Sequence, residues 1–291
     1  MTEEDTTNVW GMTDVSSGKT ASDENFPVGS FLISKALRPH IHAYYAYARV
    51  IDDIADCSTL TPHEKITRLD AMEQVLRGTR QAIDRRDAQS ALKLRNSLLQ
   101  TGVPFETATD LLIAFRNDAR GKKYHSWDDL LQYCRFSANP VGRYLISLHG
   151  ESESAFWASD ALCTSLQILN HMQDCASDLT RLKRCYIPSE MMQHTGTTED
   201  ELRLPCTSPA MRNVFDAMLD HVDVLNKEAS SLTSYIQDRR FRMECAAIAC
   251  LAQRLTLRLR KEDPLTHRVK LRKIDVAYAA TAALRMCFSL T

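Results

Sequence analysis

Four polar residues in one short run near the start of the chain have the types and spacing to bind a metal ion and a phosphate. They are Tyr45, Arg49, Asp52 and Asp56, and on an α-helix with about 100° per residue they fall within about 60° of one another. Asp52 and Asp56 lie one turn apart, so both carboxylates can reach the same small volume. The guanidinium of Arg49 is suited to phosphate oxygens. The run therefore predicts a helical metal–phosphate site, although acidic pairs at this spacing are more often a solvated face.

A second run repeats this arrangement further along the chain. Gln167, Asn170, Asp174 and Asp178 place four side-chain oxygens on one stripe of an otherwise apolar helix, where amides and carboxylates need partners. Oxygen ligands favour Mg²⁺, which usually binds through one or two carboxylates together with phosphate oxygens. Two such stripes are a more specific signal than one. We therefore predict that Mg²⁺ is held by Asp52, Asp56, Asp174 and Asp178, with Arg184 placed to hold a leaving diphosphate.

The composition excludes several other classes of protein. The 291 residues carry a net charge of −1, which does not favour binding to nucleic acid. Nine cysteines without CxxC pairs predict a reducing, cytoplasmic compartment with neither disulfides nor a zinc site. Residues 1–25 lack the basic and apolar stretches of a secretion signal, so we expect a disordered tail. No window approaches the roughly 20 apolar residues that cross a bilayer.

The chain reads as all-α, because helical periodicity is present throughout and strand signals are almost absent. We predict one domain over residues 26–291, interrupted within one helix near Pro140 and Gly142. His40, His42 and His171 are expected to pack or lie on the surface, since Mg²⁺ prefers oxygen. The predicted helices cover residues 39–57, 62–86, 88–101, 105–119, 127–150, 153–182, 209–237, 240–262 and 271–289.

With these residues placed, the sequence resembles the squalene and phytoene synthase family, whose members are all-helical isoprenoid enzymes. The resemblance is clear over residues 24–190 and looser in the C-terminal helices. It implies an isoprenoid-synthase-type helical bundle around a central cavity, with two aspartate-rich helices facing each other. It also implies that Asp52, Asp53, Asp56, Asp174 and Asp178 form the acidic motifs, that Tyr133 is a catalytic cavity tyrosine, and that the substrate is bound by Asn25, Phe26, Tyr45, Arg49, Gln167, Asn170 and Arg184.

Within the family, residues 24–28 and 133–143 look like the bacterial branch of hopanoid biosynthesis that forms hydroxysqualene. That branch takes presqualene diphosphate, expels diphosphate with Mg²⁺ as a Lewis acid, and captures the rearranged cation with water. Condensing members carry an acid immediately before the last Asp of the second motif, where this chain has Ser177. With one carboxylate fewer than the condensing members, the site suits a single ionisation better than the two successive ionisations of a complete squalene synthase. No GxGxxG motif is present, so no reductive step is expected.

Two other functions stay open at this point. A head-to-head prenyl transferase, joining farnesyl or geranylgeranyl diphosphate into presqualene diphosphate, squalene or phytoene, would use the same metal site. A non-catalytic assembly protein, in contact with other pathway enzymes, would gain nothing from clustered like charges. A basic run near the C-terminus is usually a solvated face, but could touch anionic lipid on the inner face of the cytoplasmic membrane; it comprises Arg254, Arg258, Arg260, Lys261, Arg268, Lys270, Arg272 and Lys273.

Overall fold

The computed structural model of the chain describes residues 9–11, 15 and 32–288. Most of the predicted tail, together with the predicted substrate-binding residues Asn25 and Phe26, lies outside these residues. The described part contains α-helices and no β-strand, which confirms the all-α prediction. The α-helices are α1 (Arg38–Asp56), α2 (Pro62–Arg77), α3 (Arg86–Thr101), α4 (Glu106–Ala119), α5 (Trp127–Ser137), α6 (Asn139–Leu148), α7 (Phe156–Ser177), α8 (Ser189–His194), α9 (Pro209–Ala229), α10 (Arg239–Leu259) and α11 (Lys273–Phe288).

The chain divides into two compact units, Met1–Lys122 and Lys123–Thr291. In the first unit, α1 packs against α2, α3 and α4. It buries an apolar face that includes Ile41, Tyr47 and Ile54, and the hydroxyl of Tyr44 donates to the carbonyl of Thr107 at 2.7 Å. This burial fixes the rotation of α1 about its axis. The side of α1 that carries Asp52 is therefore held away from the core of the unit.

The second helix is shorter than its periodicity predicts. We expected a helix over residues 62–86, but α2 ends at Arg77. It starts with a capping box, in which the side chains of Thr61 and Glu64 each accept from the other residue's backbone N–H. It stops because Gly78 takes a left-handed conformation, with φ of 79°, that closes the last turn.

In the second unit, α7 packs against α5, α6, α9 and α10. Its rotation is fixed by apolar burial and by a chain of buried hydrogen bonds. Ser165 on α7 donates to the side chain of Asn226 on α9 at 2.7 Å, and Asn226 donates to Thr256 on α10 at 3.0 Å. The side chains of Ser165, Asn226 and Thr256 each have a hydrogen-bond partner, so this network positions α7 without the cost of an unpaired donor.

The predicted helix over residues 127–150 is in fact two helices. The backbone leaves helical geometry at Ala138, where φ is −126°, and Pro140 lies in the first turn of α6. Gly142 then brings α6 close to α7: a Cβ built on it would lie 2.7 Å from the sulfur of Cys163 and closer still to the hydroxyl oxygen of Ser159. The expected interruption therefore exists, and Gly142 serves helix packing.

We expect Gly142→Ala to destabilise the protein by about 1–3 kcal/mol, because the added methyl group overpacks the α6–α7 contact. The measurement is urea unfolding followed by circular dichroism. The double variant Gly142→Ala/Ser159→Ala removes the oxygen that lies nearest to the new methyl group, and should recover part of the loss. A single variant as stable as the unmodified protein would contradict this close contact.

The last part of the fold differs from the periodicity in its details. The predicted helix over residues 209–237 ends at Ala229 and is followed by a 3₁₀ turn. The polar segment near residues 194–208 contains a 3₁₀ turn over Glu199–Arg203. The cysteines whose side chains are described are free thiols, and burial raises the pKa of Cys163 and Cys175 to about 12. No helix in the described ranges is both long and apolar enough to cross a bilayer.

Candidate active site

The first acidic face is organised by Arg49. Its guanidinium donates to Asp52 at 2.6 Å and to Asp53 at 3.1 Å, so one fork bridges two neighbouring carboxylates on α1. Asp53 is 4% exposed, and Arg86 lies 3.5 Å from its second oxygen. Two cations therefore face one buried carboxylate, which is the condition under which burial of such a charge is tolerated.

The two aspartates beside Arg49 differ in what they can bind. The side chain of Asp52 is 25% exposed, so its oxygens remain reachable, whereas Asp53 is enclosed and paired. We read Asp53 as the residue that orients Arg49. The resemblance placed Asp53 in the first acidic motif but gave it no role beside Arg49, although its position four residues after Arg49 is a signal for such a pair.

Tyr45 and Asp56, the other predicted members of this face, lie half-buried on the same helix. The prediction that the stripe lies on an α-helix is thus confirmed. Two of the three histidines that the sequence analysis considered also lie on α1. His40 forms a hydrogen bond with the hydroxyl of Ser97 at 2.9 Å, and His42 is exposed, as expected for residues that pack or lie on the surface.

The second acidic face lies where α7 runs into a π-helical turn over Asp178–Leu182. Asp174 accepts two hydrogen bonds from Arg268, at 2.5 and 2.9 Å, which is the bidentate geometry of a strong ion pair. The neighbouring Gln173 donates to the carbonyl of Val269. Residues 268–269 are therefore fastened to the end of α7 by two consecutive side chains.

Arg268 has a partner that the sequence analysis did not anticipate. The sequence analysis left it on a solvated face or in contact with lipid; Arg268 is exposed as a solvated residue would be, but it is also the ion-pair partner of Asp174. The two residues are 94 positions apart in the chain, and no local pattern connects them.

A cluster of aromatic rings adjoins the second acidic face. His171 on α7 stacks on Tyr186 with 3.7 Å between ring centroids, and Tyr133 on α5 lies 5.6 Å from the ring of His171 and 5.1 Å from that of Tyr186. Tyr124 adds a fourth ring, 5.1 Å from Tyr133. The predicted residue Tyr133 is thus buried within a packed group of rings, and its position is fixed by that packing.

His171 connects this aromatic cluster to the acidic face. Its Nε2 lies 3.0 Å from the side-chain amide of Gln167, and its Nδ1 lies 3.8 Å from a carboxylate oxygen of Asp178. His171 is buried, as expected of a packing residue. Its ring also lies between the predicted residues Gln167 and Asp178, and this position was not anticipated from the sequence.

The predicted phosphate-binding residue Arg184 follows the π-helical turn. The turn ends at Lys183, a non-glycine residue with φ of 56°, and the backbone N–H of Arg184 then donates to the carbonyl of Asp178 at 3.2 Å. The side chain of Arg184 is buried. Asn170, the remaining member of the stripe, is half-buried on α7.

The donor chemistry of both faces fits a hard cation. Asp52, Asp174 and Asp178 offer partly accessible carboxylate oxygens, which suit Mg²⁺ better than a thiol-binding metal. Among the residues that the structure describes, no group of three or more His, Cys, Asp or Glu side chains is already gathered around one point. Each acidic face, taken within its own unit, thus offers at most two carboxylates from one stripe.

The fold has counterparts among solved structures. The crystal structure of squalene synthase HpnC from Alicyclobacillus acidocaldarius aligns with a TM-score of 0.70 and 28% sequence identity, over 80% of this chain and 87% of that one. The all-helical fold and the two aspartate faces therefore place the chain in the isoprenoid-synthase class of enzymes.

The family follows from the sequence comparisons. The squalene/phytoene synthase family model matches residues 19–275, so the chain belongs to the squalene/phytoene synthase family, whose members generally depend on a divalent metal. Several curated relatives carry the name hydroxysqualene synthase. The one from Rhodopseudomonas palustris is 39% identical over 92% of this chain and 90% of its own length, and the one from Zymomonas mobilis is 39% identical over 91% and 90%.

Proposed function

We propose that the chain is a hydroxysqualene synthase, a carbon–oxygen lyase that converts presqualene diphosphate and water into hydroxysqualene and diphosphate. In this reaction a carbon–oxygen bond to diphosphate breaks, a carbon–oxygen bond to water forms, and the water gives up a proton. The observation that carries the proposal is the match to two hydroxysqualene synthases over nine-tenths of the chain. The partly accessible carboxylates of each acidic face, taken within its own unit, support it.

We assign Mg²⁺ to the carboxylates of Asp52, Asp56, Asp174 and Asp178. Bound Mg²⁺ would supply Lewis-acid stabilisation of the departing diphosphate. Arg49 and Arg268 now balance the charge of Asp52 and Asp174. A diphosphate can accept the same hydrogen bonds from the guanidinium groups. The arginines would therefore still have an anionic partner if the carboxylates coordinated Mg²⁺.

Arg49 is the main diphosphate-binding residue in this proposal. Its pairing with the buried Asp53 fixes the plane of its guanidinium before substrate arrives, and an arginine fixed in advance loses less entropy on binding. Tyr45 and Arg184 would add donors to the phosphate oxygens, and Asn170 and Gln167 would add amides. Each of these groups stabilises negative charge that grows on the leaving group.

Tyr133 is assigned to the wall that faces the carbocation. A cation formed after loss of diphosphate is destroyed by uncontrolled water, so its surroundings have to be rigid and largely dry. Tyr133 is 5% exposed and is held between Tyr124, Tyr186 and His171. Aromatic rings also stabilise an adjacent cation through their negative faces.

The test is a product assay with the full chain and Mg²⁺. Presqualene diphosphate should give hydroxysqualene, and farnesyl diphosphate alone should give no product. Chelation of the metal with EDTA should stop the reaction, and added Mg²⁺ should restore it. A chain that leaves presqualene diphosphate unchanged would contradict the proposal.

One observation favours a second candidate, a squalene-forming enzyme. The structural counterpart from A. acidocaldarius carries the name squalene synthase. The same assay separates the two functions, because squalene, phytoene or accumulated presqualene diphosphate formed from farnesyl or geranylgeranyl diphosphate would identify a head-to-head prenyl transferase.

A further inference from the structure

The C-terminal helix α11 exposes most of its apolar side chains. It packs against α10 through a narrow stripe of Asp275, Ala279 and Ala283, which are spaced four residues apart. The large apolar residues of α11 point elsewhere. Those that are at least half exposed are Ile274, Val276, Tyr278 and Leu284, at 51–58%. We call these four residues the outer face of α11.

The distribution of apolar and polar residues on α11 is the opposite of that on most surface helices. A helix on the surface of a globular protein normally buries its large apolar residues and exposes polar ones, whereas α11 buries an aspartate and two alanines. Contiguous exposed apolar residues of this kind usually mark a surface that contacts another molecule or a membrane. The ring of Tyr278 is also held in place, since the guanidinium of Arg254 lies 4.4 Å from its centroid.

The exposed charges of α11 and of the segment just before it all have one sign. Lys270, Lys273 and Arg285 are exposed, and no carboxylate among the described residues pairs with them. The only acidic residue of α11 is Asp275, which is fully buried and faces inward. The outer face is therefore apolar and flanked by cations, and it carries no exposed carboxylate of its own.

The structure also reduces the number of residues in the basic run that are available for lipid contact, because several of its arginines form ion pairs within the protein. Arg254 and Arg258 are paired with Asp275. Arg260 is paired with Asp220 and Asp223, and Arg272 with Glu262. These arginines and Arg268 form ion pairs within the protein. Lys270, Lys273 and Arg285 are therefore the cations that can contact an external anion.

We propose that the outer face of α11 docks on the surface of an anionic lipid bilayer. The helix lies in the plane of the interface, with Ile274, Val276 and Leu284 among the upper acyl chains and Tyr278 at the headgroup level. Lys270, Lys273 and Arg285 meet the headgroup phosphates. Charge complementarity selects this occupant over an apolar protein surface, and the proposal does not depend on which reaction the chain catalyses.

The test uses the full chain without substrate, in co-sedimentation with two kinds of vesicle. Equimolar phosphatidylglycerol and phosphatidylcholine should bind the chain, and pure phosphatidylcholine should bind it far less. Val276→Glu should lower the partition coefficient about tenfold, since it replaces an apolar side chain that the bilayer would bury with a charged one. Lys270→Gln and Lys273→Gln should each lower it about fivefold, and raised salt should weaken binding further.

The chain offers a matched control in Val224 on α9. Its exposure is 57%, against 58% for Val276, so Val224→Glu makes the same change on another helix surface and should leave binding unchanged. Circular dichroism shows whether all variants keep their helical content. Equal binding by the Val276→Glu, Val224→Glu and unmodified chains would overturn the proposal. So would a dimer that Val276→Glu dissociates while vesicles bind none of the chains, because the occupant would then be a second copy.

Discussion

Replacing Asp174 by Asn should lower the rate of hydroxysqualene formation by about 100-fold to 1,000-fold, the effect typical of losing one preorganised electrostatic group in an active site. The substitution keeps the size of the side chain and removes its charge. Asp174 has a partly accessible carboxylate at the end of α7. In our proposal this carboxylate helps to hold Mg²⁺, so an amide in its place weakens the metal site directly.

Asp160 is the matched control for this prediction. It lies on the same helix and accepts a bidentate pair of hydrogen bonds from Arg143, at 3.0 and 2.5 Å, as Asp174 does from Arg268. It belongs to neither acidic stripe. Asp160→Asn therefore removes an equivalent ion pair and should change the rate by less than about threefold, since partly exposed ion pairs contribute little to stability.

The measurement is a rate at saturating presqualene diphosphate over a series of Mg²⁺ concentrations. Asp174→Asn should require more Mg²⁺ for half its maximal rate, whereas Asp160→Asn should follow the unmodified curve. If both variants slow the reaction equally, Asp174 acts through the fold rather than through the metal. If the unmodified chain and Asp174→Asn both form no product, the non-catalytic assembly protein becomes the better description.

The parts of the site that the sequence predicted are those that local geometry determines. Asp52 and Asp56, and likewise Asp174 and Asp178, share a helix face because residues four apart always do. The positions of α1 and α7 follow from apolar periodicity, which the buried residues of both helices match. The helix prediction therefore required no knowledge of tertiary contacts.

The parts that the sequence missed depend on contacts between distant residues. Arg268 reaches Asp174 across 94 positions, and the stack of His171, Tyr186 and Tyr133 brings three separate segments together. The role of Asp53 was missed for a different reason. Its carboxylate is buried in the apolar part of α1, and it is accommodated there because Arg49 and Arg86 approach it.

The end of α2 shows how two local signals can compete. The apolar periodicity continues past Arg77, which led us to extend the helix to residue 86. Gly78 is a frequent helix-ending residue, and the structure shows that it ends this one. The periodicity beyond it comes from residues that precede α3, so a strong stop signal should have outweighed a weak pattern.

Replacing Asp275 by Ala should destabilise the protein by about 3–5 kcal/mol, because it breaks a buried ion-pair network and leaves the half-buried Arg254 and Arg258 without a counter-charge. The Asp275 side chain is fully buried, and its oxygens accept from Arg254 at 2.8 Å, from Arg258 at 2.5 Å and from the backbone N–H of Arg272 at 2.8 Å. One carboxylate thus joins α10 to the start of α11. Urea unfolding measures the loss, and the partly exposed pair of Asp216 with Arg212 gives the control Asp216→Ala, expected to cost about 0–1 kcal/mol.

The same carboxylate should make stability depend on pH. Burial opposes ionisation of Asp275, but the hydrogen bonds from Arg258, Arg272 and Arg254 outweigh it and lower the pKa from 3.8 to about 2. A pKa that is lower in the folded state than in the unfolded state stabilises the fold above the unfolded value. The contribution of Asp275 is therefore complete above about pH 4 and is lost as the pH falls toward 2. The unfolding free energies of Asp275→Ala and the unmodified chain should converge over this range, and a difference that stays constant down to pH 2 would show that the ion pairs are not what Asp275 contributes.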